Sequence, residues 1–423
     1  MDFGCRIYEL WSIGGVRGGR SLVVSNRKHH PDYLLILGIA VLLVLGLVVV
    51  YSISPVLSHK LVGDVSENYF LFGQLRNVGL AVVIFLITSN MVWWRWRKFL
   101  TPLVVVAAIA TLMLFIPALA ITEKGATRWI GIGSLSFQPV ELVKLALVVG
   151  GAHYLSKLNI EQFKERKLLL WPSMALLGVV SLLVMFAQKD LGTMVVIASI
   201  IVGTLVVAGM KLKDLAVIIG SGLALGALSI ALFSHRLARI ATFLNPESDL
   251  AGSGYHLNQA LIAIGSGGLF GLGLGKSVQV YGYLPEAAND SIFAIIAETF
   301  GFFGSLVVIG LLGFIIWRMI KIAEATPDRF GQLLVIGVAI WVGTQALVNI
   351  TAMLGIIPLT GIPLPFLSYG GSSLVLTMAA VGIVVNVSKH TERKPYAHSI
   401  KRRRHGGSYY STAGYRPGNQ TTK

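Results

Sequence analysis

Charged residues are scarce in this sequence. Asp, Glu, Lys and Arg make up 13% of its 423 residues, whereas hydrophobic residues make up 55%. A soluble globular domain has about 25% charged residues. The composition therefore excludes the soluble class and indicates a protein that crosses a membrane several times.

Cysteine is nearly absent. The one cysteine, Cys5, lies in the N-terminal tail, so the chain cannot form an intramolecular disulfide, and we expect no Cys-based metal site. We also expect no cleavable signal peptide, because the first apolar run begins near Asp32, is long and lacks a small-residue cleavage pattern after it.

Long apolar runs, in contrast, are abundant. A helix needs about 20 apolar residues to cross the bilayer core, and ten stretches qualify: 33–53, 69–90, 100–121, 138–156, 168–187, 191–210, 215–233, 291–317, 331–353 and 371–388. We therefore predict an all-α integral membrane protein with ten transmembrane helices. The transmembrane domain covers 32–390, between a basic N-terminal tail over 1–31 and a basic, disordered C-terminal tail over 391–423.

Positive charge is distributed unevenly among the predicted loops. The net charge is +16, and the side that holds both tails carries 26 Lys and Arg residues against 7 on the other side. The positive-inside rule then places both termini in the cytoplasm. We therefore attribute the excess of positive charge to the orientation of the protein in the membrane and not to nucleic-acid binding. The run KRRRH near the C-terminus either serves the same purpose or binds anionic lipid or a partner.

The topology makes segment 234–290 a large extracytoplasmic loop between spans 7 and 8. Leu257, Leu261 and Ile264 recur there at helical spacing, which predicts a short interfacial or re-entrant helix. The following string FGLGLGKS resembles a phosphate-binding P-loop, but that pattern needs glycine at the position of Phe270. We therefore reject nucleotide binding at this loop.

The segment 354–373 is rich in proline and glycine. Pro358, Pro363 and Pro365 interrupt helices because they lack a backbone N–H. Irregular backbone at membrane depth is tolerated where it lines a cavity or is buried in protein. We therefore predict that this segment forms one wall of a site on the extracytoplasmic face.

Three charged residues fall inside predicted spans. Arg76 lies in the second span, and Glu141 and Lys144 lie three residues apart on one face of the fourth. Charges within a membrane usually pair and face the interior of the bundle. The three residues form either an ion-paired cluster that fixes the fold or a cationic pocket for an anionic group such as a pyrophosphate.

A basic rim is predicted on the extracytoplasmic face. Its members are Arg128, Lys189 with its neighbour Asp190, Arg236 and Arg239. Surface solvation explains each of these charges alone, but together they would attract a phosphate-bearing substrate.

The string LPEAANDSIFAIIAE places carboxylates where an apolar helix begins. A carboxylate at a membrane edge is costly unless it is solvated, paired or used, so Asp290 is the candidate reactive residue and Glu286 competes with it. The alternative for Asp290 is an N-cap of the helix, a role that Asn289 or Ser291 could share. We interpret Glu298 as structural.

Several long strings together resemble one known family. They are RWIGIGSLSFQPVELVK, QKDLGT, YHLNQALIAIGSGG with LGLGKSVQ, LPEAANDSIFAIIAE and PLTGIPLPFLSYGGSS. They resemble the SEDS family (shape, elongation, division and sporulation), the lipid-II-polymerising glycosyltransferases of bacterial cell-wall synthesis, over about residues 33–391. The chain departs from the common family pattern at Val140 and Thr299.

Within this family, three strings are most similar to the division branch (FtsW) and its sporulation relative (SpoVE). They are PEAANDSIFAII, KIAEATPDRFGQLL and NVSKHT. The elongation branch (RodA) tends to have Thr-Asp-Phe where this chain has Asn289, Asp290 and Ser291. The resemblance therefore favours the division branch, with a RodA-type elongation polymerase as the alternative.

The resemblance implies that the Asp290 position is essential for polymerisation and that the Arg76, Glu141 and Lys144 positions line the central cavity. The implied substrate is lipid II, a disaccharide-pentapeptide on undecaprenyl pyrophosphate. The implied partners are a class B penicillin-binding protein (FtsI type) and other divisome proteins, at the division septum of the cytoplasmic membrane.

The chemistry expected from this resemblance needs one base and several cations. Asp290 would activate the 4-hydroxyl of the acceptor GlcNAc, and cations would stabilise the leaving pyrophosphate. The predicted substrate-binding residues are Arg76, Arg128, Glu141, Lys144, Lys189, Asp190 and Glu286. No cofactor is required by the sequence, although a divalent cation, Mg²⁺ or Mn²⁺, could assist at the pyrophosphate.

Two other functions also fit parts of the sequence. Spans interrupted by glycine and proline, with a polar cavity, fit a flippase or transporter of the same lipid. A scaffold that recruits the penicillin-binding protein would tolerate loss of the Asp290 carboxylate. The family strings favour the polymerase over both.

Overall fold

Long helices follow the apolar runs of the sequence. The structure is a computed structural model that describes residues 29–62, 67–123, 126–132, 135–158, 166–183, 190–232, 234–245, 252–281 and 283–391. These residues belong to one compact unit, Met1–Glu392. Nearly all of both predicted tails lies outside the described residues.

Twelve α-helices and three β-strands are formed by this described part of the chain. The helices are α1 (Tyr33–Val62), α2 (Tyr69–Asn90), α3 (Trp96–Met113), α4 (Pro139–Lys157), α5 (Arg166–Leu183), α6 (Leu191–Ala208), α7 (Leu212–Leu232), α8 (Ser234–Leu244), α9 (Ser253–Ser266), α10 (Ile292–Glu324), α11 (Arg329–Met353) and α12 (Gly371–Ser388). The strands are β1 (Ala120–Glu123), β2 (Ala126–Ile132) and β3 (Leu135–Phe137).

Each of the ten predicted spans coincides with a helix of at least 18 residues. Among the described residues, six helices are long and apolar enough to cross a membrane: α1, α2, α3 with the short turn before it, α10, α11 and α12. α4 is less apolar because it carries Glu141, Lys144 and His153. The total of ten spans and the sidedness of the loops remain predictions.

A small antiparallel sheet corrects the all-α prediction. The strands lie in the order β1-β2-β3, with Ala120 opposite Ile130 and Ile130 opposite Phe137. The third span was predicted to reach residue 121, but α3 ends at Met113. Hydropathy cannot separate the two elements, because the first strand residues continue the apolar run of the helix.

α11 and α12 lie at the centre of the helix assembly. α12 packs chiefly against α2, and α11 packs chiefly against α10, α4 and α6. Most residues of α11 and α12 are buried, whereas few residues of α2 are. The exposed side of α2 is apolar, with Phe72, Leu80 and Leu86 among its exposed residues, as expected for a surface that faces lipid.

The segment 234–290, which was predicted to be a loop, contains two helices. The helix predicted from Leu257, Leu261 and Ile264 is confirmed as α9. A second helix, α8, precedes it and was not predicted. Its sequence SHRLARIATFL alternates basic and apolar residues at helical spacing, a signal of an amphipathic helix.

The glycine-rich segment after α9 holds a kink in α10. Gly301 has φ +70° and ψ −164°, so the helix is interrupted there. The N–H of Leu272 donates to the carbonyl of Glu298 over 2.9 Å, and the N–H of Phe302 donates to the carbonyl of Gly268 over 2.9 Å. The segment thus satisfies backbone groups that the kink would leave unpaired.

Replacing Gly301 by Ala should destabilise the protein. A Cβ at this position would collide with the backbone of residues 269–271, and the backbone conformation costs a non-glycine residue about 1–3 kcal/mol. We expect a lower unfolding temperature for the purified variant in detergent. Gly310→Ala is the control, because a Cβ there meets nothing within 4 Å. Equal unfolding temperatures of the two variants would contradict this account of the kink.

The predicted topology can be tested with the single cysteine. A membrane-impermeant maleimide should leave Cys5 unlabelled in right-side-out membrane vesicles and label it in inverted vesicles. A Cys5→Ser variant that also carries Lys276→Cys, at an exposed loop position, should give the reverse pattern. Labelling of Cys5 in right-side-out vesicles would overturn the topology.

Candidate active site

Asp290 lies in the turn that leads into α10. The residue is buried, with 9% of its surface exposed. The N-cap position belongs to Ser291, and no side chain caps the helix. The alternative role of Asp290 as the N-cap is therefore wrong, and the N-cap position falls to Ser291, because the tight turn makes Ile292 the first residue of the helix.

Glu286, the competing candidate, shapes that turn. Its φ is +51°, a left-handed value that is uncommon for a residue with a side chain. Its carbonyl accepts hydrogen bonds from the N–H groups of Asn289 (2.9 Å) and Ser291 (3.3 Å). Its carboxylate Oε2 accepts a further bond from Asn289 Nδ2 over 2.6 Å, so the carboxylate is engaged within the turn.

Two amide side chains of α11 hold the irregular backbone around Asp290. Asn349 Nδ2 donates to the carbonyl of Asp290 and to the carbonyl of Ile362, each over 2.7 Å. One helical turn earlier, Gln345 Nε2 donates to the carbonyl of Pro363 over 3.0 Å. α11 therefore fixes both the Asp290 turn and the proline-rich segment, which lies beside Asp290 as predicted.

Lys144 and Glu141 form a buried ion pair, as their spacing predicts. Lys144 Nζ donates to Glu141 Oε1 over 2.8 Å and to Gln345 Oε1 over 2.9 Å. It also lies 5.0 Å from the ring centroid of Trp341, a distance at which a cation and an aromatic face attract each other. Gln345 thus connects the ion pair to the proline-rich segment.

Arg76 does not join this pair. The residue is exposed on α2, and within the described part of the chain the ion pair of Lys144 is with Glu141 alone. The predicted three-residue cluster is therefore wrong, because hydropathy does not show which way a helix face points. Arg76 instead lies near Tyr369. Burial, and to a smaller extent Tyr69, raise the pKa of the Tyr369 hydroxyl above its ordinary value, and the positive charge of Arg76 offsets part of this rise.

Arg128 approaches Asp290 from the sheet. Its Nη1 lies 3.7 Å from Oδ2 of Asp190, and Asp190 caps α6 by accepting from the N–H of Thr193 over 3.2 Å. Gly361 lies beside both groups: a Cβ there would lie 3.5 Å from Arg128 Nη1 and 3.7 Å from Asp290 Oδ2. The cation and the carboxylate therefore both border the position that a side chain at residue 361 would take.

Arg239 on α8 completes a group of four charges. Burial and the positive charge of Arg128 lower the pKa of the Arg239 guanidinium, while Asp190 and Asp290 act in the opposite direction. Arg239 is therefore close enough to interact electrostatically with Arg128, Asp190 and Asp290. The predicted basic rim is assembled here in part, with two cations and two carboxylates.

The other predicted residues lie elsewhere or cannot be placed. Lys189 and the side chain of Arg236 lie outside the described residues. Glu298 is fully buried and accepts hydrogen bonds from Ser277 Oγ and, over 2.8 Å, from the N–H of Val278. These contacts agree with its structural interpretation, since they fasten the loop after α9 to α10.

Sequence reasoning missed three residues around Asp290: Gln345, Asn349 and His256. Gln345 and Asn349 had a detectable signal, because two amides four residues apart on an apolar helix share one face. His256 had no such signal, because only the fold brings it near Asp290. Within the described ranges, no group of three His, Cys, Asp or Glu side chains could hold a metal ion.

Comparison with known proteins assigns this chain to a family. Residues 33–393 match the family FTSW_RODA_SPOVE, described as cell cycle protein. The chain belongs to this family. With its six long apolar helices, this FTSW_RODA_SPOVE member is a multi-pass membrane protein.

Relatives in the FTSW_RODA_SPOVE family match nearly their whole length. Stage V sporulation protein E of Bacillus subtilis (strain 168) is 37% identical over 373 residues, which cover 87% of this chain and 100% of the relative. A probable peptidoglycan glycosyltransferase FtsW of Thioalkalivibrio sp. (strain K90mix) is 39% identical over 378 residues, covering 87% and 92%. The crystal structure of the rod shape determining protein RodA of Thermus thermophilus is 27% identical, with TM-score 0.59 and coverage of 86% and 98%.

The buried pair can be tested with a double-mutant cycle. Lys144→Met should lower the free energy of unfolding by about 3–5 kcal/mol, because it leaves a buried carboxylate uncompensated. Adding Glu141→Leu to it should recover most of the loss. The measurement is chemical unfolding in detergent.

A matched control for this cycle lies on α10. Lys321 and Glu324 are also three residues apart and paired at 2.8 Å, but both are exposed. Lys321→Met should therefore cost less than about 1 kcal/mol. Similar losses for Lys144→Met and Lys321→Met would show that burial of the Glu141–Lys144 pair has no energetic consequence.

Proposed function

We propose that this protein is a peptidoglycan glycosyltransferase that polymerises lipid II at the outer face of the cytoplasmic membrane during cell division. The observation that carries the proposal is a buried carboxylate, Asp290, which borders the same glycine as the Arg128 guanidinium, in a chain whose relatives include proteins named FtsW and peptidoglycan glycosyltransferase. The arrangement suits a reaction that needs a base beside a phosphate site.

Asp290 is the proposed general base. It takes the proton from the 4-hydroxyl of the acceptor GlcNAc as that oxygen attacks the anomeric carbon of the donor MurNAc. One glycosidic bond forms, the bond from the anomeric carbon to the pyrophosphate oxygen breaks, and the configuration inverts. Undecaprenyl pyrophosphate leaves with the bonding electrons.

Arg128 and Arg239 are the proposed partners of the leaving pyrophosphate. Together with Asp190 and Asp290 they form a group of zero net charge before the reaction. Protonation of Asp290 leaves this group with one net positive charge. The positive charge thus appears as negative charge develops on the leaving group, which favours the transition state over the bound substrate.

The Glu141–Lys144 pair has a supporting role in this proposal. Lys144 already donates to a carboxylate and to Gln345 in a buried position, so its charge is largely compensated. Through Gln345 it holds the proline-rich segment that faces Asp290. Lys189 and Arg76 remain predicted contacts to the lipid or its pyrophosphate.

The proposal extends to a partner and to a metal ion. A class B penicillin-binding protein of the division type would crosslink the strands that this chain polymerises.

A divalent cation, Mg²⁺ or Mn²⁺, would neutralise pyrophosphate charge when bound. Since the described residues offer no three-ligand cluster, such an ion would take its ligands chiefly from the pyrophosphate and water.

Replacing Asp290 by Asn tests the proposed base. Asn keeps the size of the side chain but cannot accept the proton, so polymerisation should fall by about 100-fold or more. The measurement is the formation of glycan ladders from purified lipid II by the protein with its cognate penicillin-binding protein. Complex formation and unfolding temperature should match the wild type.

Glu286→Gln is the matched control. It removes the competing carboxylate of the same turn and should leave ladder formation within a few-fold of the wild type. Persistent ladders with Asp290→Asn would refute the base assignment. Absence of ladders from an intact wild-type complex, with lipid II moving between leaflets, would support the flippase function instead.

A further inference from the structure

A line of hydrogen-bonding groups leads from Asp290 to α9. Ser291 Oγ lies 3.4 Å from Asp290 Oδ1, and His256 Nε2 lies 2.6 Å from Ser291 Oγ. Asp290 and Ser291 are buried, whereas His256 is partly exposed. The three side chains therefore connect the buried carboxylate with a ring that reaches the protein surface.

A buried base needs such a connection. In each catalytic cycle the proposed base accepts one proton and must lose it before the next attack. Asp290 has little exposed surface, and a bound lipid substrate would reduce that surface further. We propose that Ser291 and His256 carry this proton from Asp290 to the solvent; the inference rests on the proposed role of Asp290.

The transfer can be written as a balanced sequence. The protonated Asp290 Oδ1 gives its proton to Ser291 Oγ while the Ser291 hydroxyl proton passes to His256 Nε2. Asp290 is again a carboxylate, Ser291 is again a hydroxyl, and His256 is an imidazolium ion. One imidazolium proton then passes to water and the remaining proton is held on Nδ1. Once the Ser291 hydroxyl has rotated back toward Nε2, the group is again in its starting state.

Ser291 is able to switch between two hydrogen-bond acceptors. Its hydroxyl also lies 2.9 Å from the carbonyl of Pro285, which accepts but cannot donate. A rotation of the hydroxyl about its C–O bond moves the proton from Pro285 to His256 without moving the oxygen. The contact between Ser291 Oγ and Asp290 Oδ1, at 3.4 Å, is the longest in the line.

Histidine suits the outer position for a chemical reason. Its imidazole gains and loses a proton near neutral pH, which an amide cannot do. A glutamine at position 256 could keep a hydrogen bond to Ser291 but could not accept the proton. Comparing histidine with glutamine at position 256 therefore distinguishes proton transfer from simple positioning of Ser291.

The test measures lipid II polymerisation by the complete complex, with kcat and KM determined with and without added imidazole. His256→Ala should lower kcat by about 10-fold with little change in KM, and imidazole should restore most of the loss. His256→Gln should lower kcat to a similar extent. Ser291→Ala should also lower kcat, but imidazole should not restore it, because the link to Asp290 is gone.

Asn258→Ala is the control for changes on α9, since Asn258 is exposed on the same helix, and it should match the wild type. Two results would overturn the relay. One is a wild-type kcat in His256→Gln. The other is a loss of kcat in His256→Ala that imidazole does not reverse, in a protein of unchanged unfolding temperature.

Asp290→Asn in the same assay keeps the two proposals separate. If it is inactive while the His256 variants are normal, only the relay fails; if it is active, the base assignment fails.

Discussion

The site depends on one amide nitrogen. Asn349 Nδ2 donates to the carbonyl of Asp290 and to the carbonyl of Ile362, two groups that lie outside any helix. Water is scarce within a membrane, so an unpaired backbone carbonyl there costs several kcal/mol. By pairing both carbonyls, α11 holds two irregular segments in a fixed relation, and the Asp290 carboxylate lies on one of them.

The same constraint explains the kink in α10. A break in a buried helix exposes N–H and C=O groups on both sides of the break, and the segment after α9 pairs with them through its own backbone. Glycines are needed there because the two backbones touch. The Glu298 carboxylate fastens the next part of that loop. The helix that follows Asp290 is thus held at its kink by backbone contacts and at its start by the Glu286 turn.

Charge is divided between two places that serve different purposes. Glu141 and Lys144 compensate each other in the interior and act on the rest of the site through Gln345. Arg128, Arg239, Asp190 and Asp290 lie together on separate elements, where one carboxylate can change its protonation state without leaving an isolated buried charge. A buried ion pair mainly fixes a structure, whereas a cluster of two cations and two carboxylates has charges that can be redistributed within it.

The sequence by itself determined the class of protein, the positions of ten long helices, the helix at Leu257–Ile264 and the pairing of Glu141 with Lys144. These features follow from local patterns: apolar length, helical spacing and separation along one helix face. Tertiary structure decided the rest. The structure begins the helix after Asp290, leaves Arg76 out of the Lys144 ion pair and forms a sheet at the end of an apolar run. It also brings Arg239, His256 and Asn349 close to the turn that holds Asp290. Such contacts join residues far apart in the chain, and they depend on how each helix is rotated and packed against its neighbours, which no local pattern encodes.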